Sequence, residues 1–240
     1  MKEWIILSPS KEMDKSPGIL EPALDSTSQS IYQAIGSLSE ADLGQWLKLS
    51  DSVAHEVYQD YLRLTQARAK PAIATYQGLA FRQIDPQLGQ SEFAQDHLVI
   101  LSALYGPLHP LTPINPYRLD FSKALTVEGQ SLSSLQKANY THFFKGSRVY
   151  NLASKEFSDR VDQNQVADWV AIDFYSDWKS GKKAASPTAK KLRDQLVNHL
   201  LGEASLSKDT FASFQYQGYR LHPESTANHY IYANYEGGIL

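Results

Sequence analysis

The stretch LSALYGPLHPLTPINPYRLDF, Leu101 to Phe121, carries a proline at every third position: Pro107, Pro110, Pro113 and Pro116. Polyproline II geometry has three residues per turn, so a segment held that way aligns all four on one edge. Leu108, Leu111, Ile114 and Tyr117 then form an apolar edge. His109, Thr112, Asn115 and Arg118 form a polar one that ends in a guanidinium. Proline fixes φ, lacks an N–H and biases the preceding residue towards extended backbone. The stretch therefore reads as a stiff, extended strap, neither helix nor central strand. It either covers the core as a rigid connection or presents Arg118, with Asn115 or His109, to a site.

Working outward, Leu98-Val99-Ile100-Leu101 is a fully apolar run feeding the strap, most simply a central strand. Trp4-Ile5-Ile6-Leu7 reads as a second buried strand and runs into Ser8-Pro9-Ser10-Lys11, with Asp14 just beyond. Ser8 and Lys11 satisfy Ser-x-x-Lys, a spacing used by some serine acyl-transferases. That pattern normally opens a helix, and Pro9 after a strand argues against it. Residues 25–67 read as helical. Ser39 with Asp42 resembles a capping box, and Val53, Val57, Tyr61 and Leu64 share one helical face. Ala72–Tyr76 reads as a strand leaving Tyr76 at its exit, beside Gly78. Ser91 to Gln95 reads as a short helical stretch.

Beyond the strap, Tyr117–Phe121 alternates as a strand does, and Ser131–Phe144 reads as a helix. Arg148 to Leu152 reads as a strand, so Asn151 and Ser154 fall where a strand yields to a helix start. Free backbone N–H groups there can bind an anion, or the residue can simply cap the helix. Trp169–Tyr175 reads as a strand. Lys179, Lys182, Lys183, Lys190, Lys191 and Arg193 follow with no acid between them. Ser180-Gly181 reads as a hairpin turn. Ser186-Pro187 reads as an N-cap followed by proline, opening a helix to Leu201. Phe214–Leu221 and Tyr230–Tyr235 read as closing strands.

The 240 residues, 42% hydrophobic and 20% charged, suffice for a real core and exclude a disordered chain. The expected architecture is α+β: a single domain over 1–240 with a mixed, largely antiparallel sheet flanked by helices. Net charge is −3, so no global field draws the chain to nucleic acid. Residues 121–240 hold fourteen of the 23 Lys and Arg, and with them the basic surface. With no cysteine, thiolate catalysis and cysteine-held metals are excluded, which fits a reducing cytoplasm. The apolar run at Trp4–Leu7 is too short for a membrane span, so no membrane partner is expected and a cytoplasmic location is. No Gly-x-Gly, P-loop or close histidine pair occurs, so no nucleotide fingerprint, cofactor or metal site is expected.

Taken in order, Ser8-Pro9-x-Lys11-x-x-Asp14, Tyr76-x-Gly78-Leu79 and Leu101-Ser102-x-Leu104-Tyr105-Gly106 form a pattern. It continues through Pro110-Leu111, Pro116-Tyr117-Arg118-Leu119, Asn151-Leu152-Ala153-Ser154-x-Glu156 and Ala189-Lys190-Lys191-x-Arg193. It ends at Phe214 with Gly218-Tyr219. This pattern resembles the YaaA family of bacterial peroxide-stress proteins. The chain departs from the family at Ala103 and Asp194, where glycine is usual, at His109, where arginine is usual, and at Thr112, where an acid is usual. The resemblance implies a cytosolic protein that limits iron-driven peroxide damage, with a DNA-binding α+β fold of unusual topology.

Two functions follow as expectations. In the first, Ser8, Lys11, Arg118, Asn151, Ser154, Lys182, Lys183, Lys190, Lys191 and Arg193 hold DNA backbone or another anion, with salt-dependent affinity. In the second, the chain is an enzyme acting on a small phosphate- or carboxylate-bearing substrate. Lys11 is then the base or Schiff-base amine, Asp14 or Glu156 the acid/base group, and Tyr76 or Tyr105 the proton donor.

Overall fold

The computed structural model describes residues 1–78 and 81–235; Leu79 lies outside them. The chain opens with strand β1 (Glu3–Leu7). Three helices follow, α1 (Ser26–Gly36), α2 (Glu40–Leu47) and α3 (Asp51–Arg63). Ser39 caps α2 by accepting from the Asp42 N–H, as its spacing predicts. On α3, Val57, Tyr61 and the following Leu64 are buried, whereas Val53 at the helix start is exposed.

Next come β2 (Lys70–Pro71), a one-turn helix α4 (Ala72–Thr75), and short helices α5 (Pro86–Gly89) and α6 (Glu92–His97). The expected strand over Ala72–Tyr76 is thus a helical turn. The Ala72 and Ile73 N–H groups donate to the strap carbonyls of Thr112 and Pro110 at 2.9 Å each, and Tyr76 N–H returns to the Ala72 carbonyl. Tertiary partners satisfy the orphan donors of a helix start and outweigh the β preference of the sequence.

Strand β3 (Leu98–Ser102) turns at Gly106 into β4 (Gly106–Leu108), and the strap contributes β5 (Pro113–Ile114), paired with β2. Leu108, Ile114 and Tyr117 of its apolar edge are buried, while Leu111 is exposed. Asn115 is 4% exposed and donates to the Leu64 and Ala67 carbonyls, tying the strap to the end of α3. Tyr117–Phe121 is not a strand. Its backbone bonds go to side chains instead: Arg118 O accepts from Tyr61 OH, and Phe121 N–H donates to Glu156 Oε1.

A small hairpin, β6 (Thr126–Val127) and β7 (Gln130–Ser131), leads into α7 (Leu132–Phe144), capped by Ser131. Strand β8 (Arg148–Asn151), helix α8 (Lys155–Ser158) and the long strand β9 (Asp168–Asp177) follow. The chain then forms β10 (Lys182–Lys183), α9 (Ser186–Glu203) and α10 (Lys208–Ser213). Ser186 is the first helical residue of α9 rather than its cap, and Ala185 occupies the cap position.

The expected strand over Phe214–Leu221 is two strands, β11 (Gln215–Tyr216) and β12 (Tyr219–Leu221). Gln217 and Gly218 both take positive φ between them, the geometry of a two-residue hairpin turn. β13 (His229–Asn234) closes the described chain.

The main sheet runs β11-β12-β13-β9-β8-β1-β3-β4, with β10 on the end of β9. It is mixed and flanked by helices, as the sequence predicts, but not largely antiparallel. Its middle, β13-β9-β8-β1-β3, is parallel throughout, and the antiparallel pairs are β3–β4, β9–β10 and the β11–β12–β13 end. Parallel neighbours need long crossovers, and the helical segments after β1, β8 and β9 supply them. The unbroken apolar runs of β1 and β3 fit burial on both sheet faces: Ile5, Ile6 and Leu98 to Leu101 are each 0% exposed.

Candidate functional site

From β1 the chain moves to β3 on one side, and from β8 it moves to β9 on the other. The carboxyl ends of β1 and β8 lie side by side, with Ile6 paired to Asn151. A crevice outside strand ends that diverge in this way is where open α/β sheets bind ligands. A cavity of about 400 Å³ lies there. Its walls come from Leu7 at the end of β1 and residues 8–12 after it, 117–120 of the strap, Leu152, Ser154, Glu156 and Phe157 after β8, and Ser186, Lys190, Arg193 and Asp194 of α9.

The two strand exits are bonded to each other. Ser8 Oγ accepts from the Ser154 backbone N–H at 2.7 Å and donates to Ser154 Oγ at 3.0 Å. Ser8 thereby satisfies a free donor at the start of α8. Gly78 lets the first loop sit this deep, since a Cβ there would fall 2.2 Å from Ser10 Oγ.

Four cations, Lys11, Arg118, Lys190 and Arg193, and four carboxylates, Glu12, Asp120, Glu156 and Asp194, line the cavity. Arg118, Lys190 and Arg193 line it, and among the described residues no carboxylate lies within ion-pair distance of any of them. Arg193 Nε is buried with no hydrogen-bond partner. Burial pulls the Arg193 ionisation down, and the charges of Asp173 and Asp194 push it back. Lys11 Nζ is 2.7 Å from Asp120 Oδ2; the Lys11 side chain is 60% exposed and that of Asp120 11%. Burial pushes the Asp120 carboxyl up, but hydrogen bonds from Lys11 and Ser122 outweigh it and hold the group below the usual carboxylate range.

Asp194 is the most buried of the four carboxylates. It is 5% exposed, lines the cavity, and among the described residues accepts no hydrogen bond. Burial raises its carboxyl to about 7, against the opposing pull of Lys190 and Arg193. It is the carboxyl in the cavity suited to give or take a proton near neutrality.

Of the residues singled out in the sequence, Ser8, Lys11, Arg118, Ser154, Glu156, Lys190 and Arg193 surround this one cavity. The others sit elsewhere. Asn151 Oδ1 accepts from the Ala153 N–H and does not reach the cavity. Lys182 is exposed on β10, Lys183 pairs with Asp173, and Lys191 lies over the Tyr216 ring. His109 donates through Nδ1 to the Gln95 carbonyl and packs edge-on to Trp4.

Asp14 lines a second, more open cavity, where Lys70 first and Ser16 next hold its carboxyl down to about 2. Tyr76 and Tyr105 are core residues: Tyr76 OH meets Tyr117 OH at 2.8 Å, and Tyr105 OH accepts from the Asn115 N–H. Tyr117 is the tyrosine on the cavity wall. Burial raises it to about 12, and bonds with Ser102 and Tyr76 partly offset that rise.

The buried setting a Lys11 base requires is absent, since its amine is exposed and ion-paired. The sequence reading did not count Asp120 or Asp194 as site residues. A carboxylate two positions after Arg118, and an acid immediately after Arg193 in a basic run, are the signals that mark them.

Among the described residues, no group of three or more His, Cys, Asp or Glu is placed to hold a metal, and no helix is long and apolar enough to cross a membrane. The family model described as "Peroxide stress protein YaaA" matches residues 3–225. A UPF0246 protein of Streptococcus gordonii is 31% identical over 226 residues, covering 89% of this chain and 92% of that one. One from Acaryochloris marina is 31% identical, covering 95% and 98%, and one from Rickettsia bellii 28%, covering 88% and 89%.

Proposed function

The chain belongs to the peroxide stress protein YaaA family, and from that premise we propose that it serves peroxide-stress protection through a cleft that binds a small oxyanion or an anionic group of a larger ligand. One observation carries the reading. Arg118 and Arg193 converge on a 400 Å³ cavity with no carboxylate partner, beside the Ser8 and Ser154 hydroxyls. Among the described residues Arg193 Nε is buried without a hydrogen-bond partner, a cost that a bound anion returns. Guanidinium forks match phosphate and carboxylate geometry.

Calorimetric titration with inorganic phosphate, on the wild type and on Arg118→Gln and Arg193→Gln, tests this. The expected result is saturable binding that either substitution weakens about tenfold or more. Binding unchanged in both variants would reject the cleft as the site.

DNA binding is the second reading. The observation favouring it is that Lys179, Lys182, Lys190 and Lys191 are exposed on β10, the turn before it and the first turns of α9. Fluorescence anisotropy with duplex DNA across a salt series tests it, since backbone contacts make log affinity fall linearly with log salt. No binding at low salt rejects it.

A further inference from the structure

Asp194 is out of place in a cleft built for anions. It sits one residue after Arg193 and one helical turn after Lys190, so its neighbours on α9 are both cations. The charged groups around the same cavity from other elements are Lys11, Glu12, Arg118, Asp120 and Glu156, and Asp173 of β9 acts on Arg193. Of the four carboxylates lining the cavity, Glu12 pairs with Arg82, Asp120 with Lys11, and Glu156 accepts from the Phe121 N–H. Asp194 alone among these four has no ion-pair or hydrogen-bond partner among the described residues, although it is the most buried of them. Its oxygens are not among the fully buried unpartnered atoms, so they open on the cavity, where a ligand can reach them.

Two bare negative groups cannot share one small cationic site; one hydrogen must lie between them. On the reading above, where the cleft holds an oxyanion at Arg118 and Arg193, we propose that Asp194 selects that ligand by its hydrogen. The ligand class is an oxyanion that keeps an O–H at neutral pH, such as monohydrogen phosphate. Such a ligand donates its hydrogen to the ionised carboxylate and is held whether or not Asp194 carries a proton. A fully deprotonated oxyanion, such as sulfate, is held only when Asp194 supplies the hydrogen itself. A phosphodiester has no O–H and falls in the sulfate class.

Inorganic phosphate and sulfate are the probes. Calorimetry on the full chain between about pH 6 and about pH 8.5 should show sulfate affinity falling about tenfold per pH unit once Asp194 ionises, and phosphate affinity falling much less. Titration in two buffers of different ionisation enthalpy should show about one proton taken up per sulfate near pH 8, and none per phosphate. This proton count needs no variant. In Asp194→Asn the amide donates to either anion at all pH values, so sulfate affinity becomes level with pH and the discrimination disappears.

Equal pH profiles for the two anions, no proton uptake with sulfate, or wild-type discrimination in Asp194→Asn would each overturn the role of Asp194 while leaving the cleft intact. Failure of both anions to bind at any pH overturns the cleft itself, and this inference with it.

Discussion

Lys11 Nζ lies 2.7 Å from Asp120 Oδ2, joining the loop that leaves β1 to the last turn of the proline strap. This pair fixes one wall of the cavity and at the same time neutralises one of its cations. Asp120→Asn removes the neutralisation and keeps the shape. Anion affinity should rise by roughly three- to tenfold, while stability falls by about 1 kcal/mol or less, as for a partly exposed pair. Phosphate titration and urea denaturation read the two effects separately. Unchanged or weakened phosphate binding would count against Lys11 as a cleft cation.

Ser8 is a hinge between the two strand exits, because its Oγ is the acceptor for the Ser154 N–H. In Ser8→Ala that N–H loses its partner. The expected loss is about 1–2 kcal/mol by chemical denaturation, with phosphate affinity reduced as well. A variant as stable as wild type would mean that water replaces the hydroxyl there.

Asn115 holds the strap by donating to two carbonyls at the end of α3. Asn115→Ala leaves the buried Leu64 carbonyl and the part-buried Ala67 carbonyl without this donor and should cost about 1–3 kcal/mol in urea unfolding. Because Arg118 follows three residues later, phosphate affinity should drop with it. A stability loss below about 0.5 kcal/mol would show that the strap is held chiefly by its apolar edge.

Asp194 gives stability a pH dependence of definite sign. Its carboxyl titrates near 7 in the folded chain against 3.8 ordinarily, because burial disfavours the charge. The folded state therefore holds a proton that the unfolded chain has released. Its contribution is fully present below about pH 4 and is lost as pH rises to about 7. Asp194→Asn should remove this slope and be more stable than wild type at pH 8 by about 2–4 kcal/mol. Melting temperatures of both proteins across pH 5 to 8 check it; parallel curves would contradict it.

Asp14 gives the opposite limb. Lys70 and Ser16 hold its carboxyl near 2, so its contribution is present above about pH 4 and is lost as pH falls through about 2. Asp14→Asn should lower stability at pH 6 and flatten acid unfolding between about pH 4 and 2. An unchanged acid limb would show that the Lys70 pair contributes nothing in solution.

What was legible in the chain was short-ranged. Strands β1, β3, β8 and β9 follow from apolar and β-branched runs, and α2 from the Ser39 cap with the periodicity behind it. Where a local preference met a partner from far away, the partner won. Ala72–Thr75 coils because strap carbonyls take its donors, and Phe214–Leu221 folds back because Gln217 accepts a positive φ beside Gly218. Tyr76 and Tyr105 looked like site residues beside their glycines, yet both hydroxyls are satisfied inside the core.

The sequence by itself determined that Leu101–Phe121 is not helical and which residue types are able to hold an anion, because proline fixes φ and side-chain chemistry is carried in the letters; the structure breaks the single extended strap with a turn in which the Thr112 N–H donates to the His109 carbonyl. Only the tertiary structure decided that the middle of the sheet is parallel, that β1 and β8 end side by side, and that Arg118 and Arg193 line one cavity there. It alone set Asp194, 5% exposed, on the wall of that cavity beside Arg193. Pairing, burial and electrostatic environment depend on which distant segments pack together, and no local pattern encodes that choice.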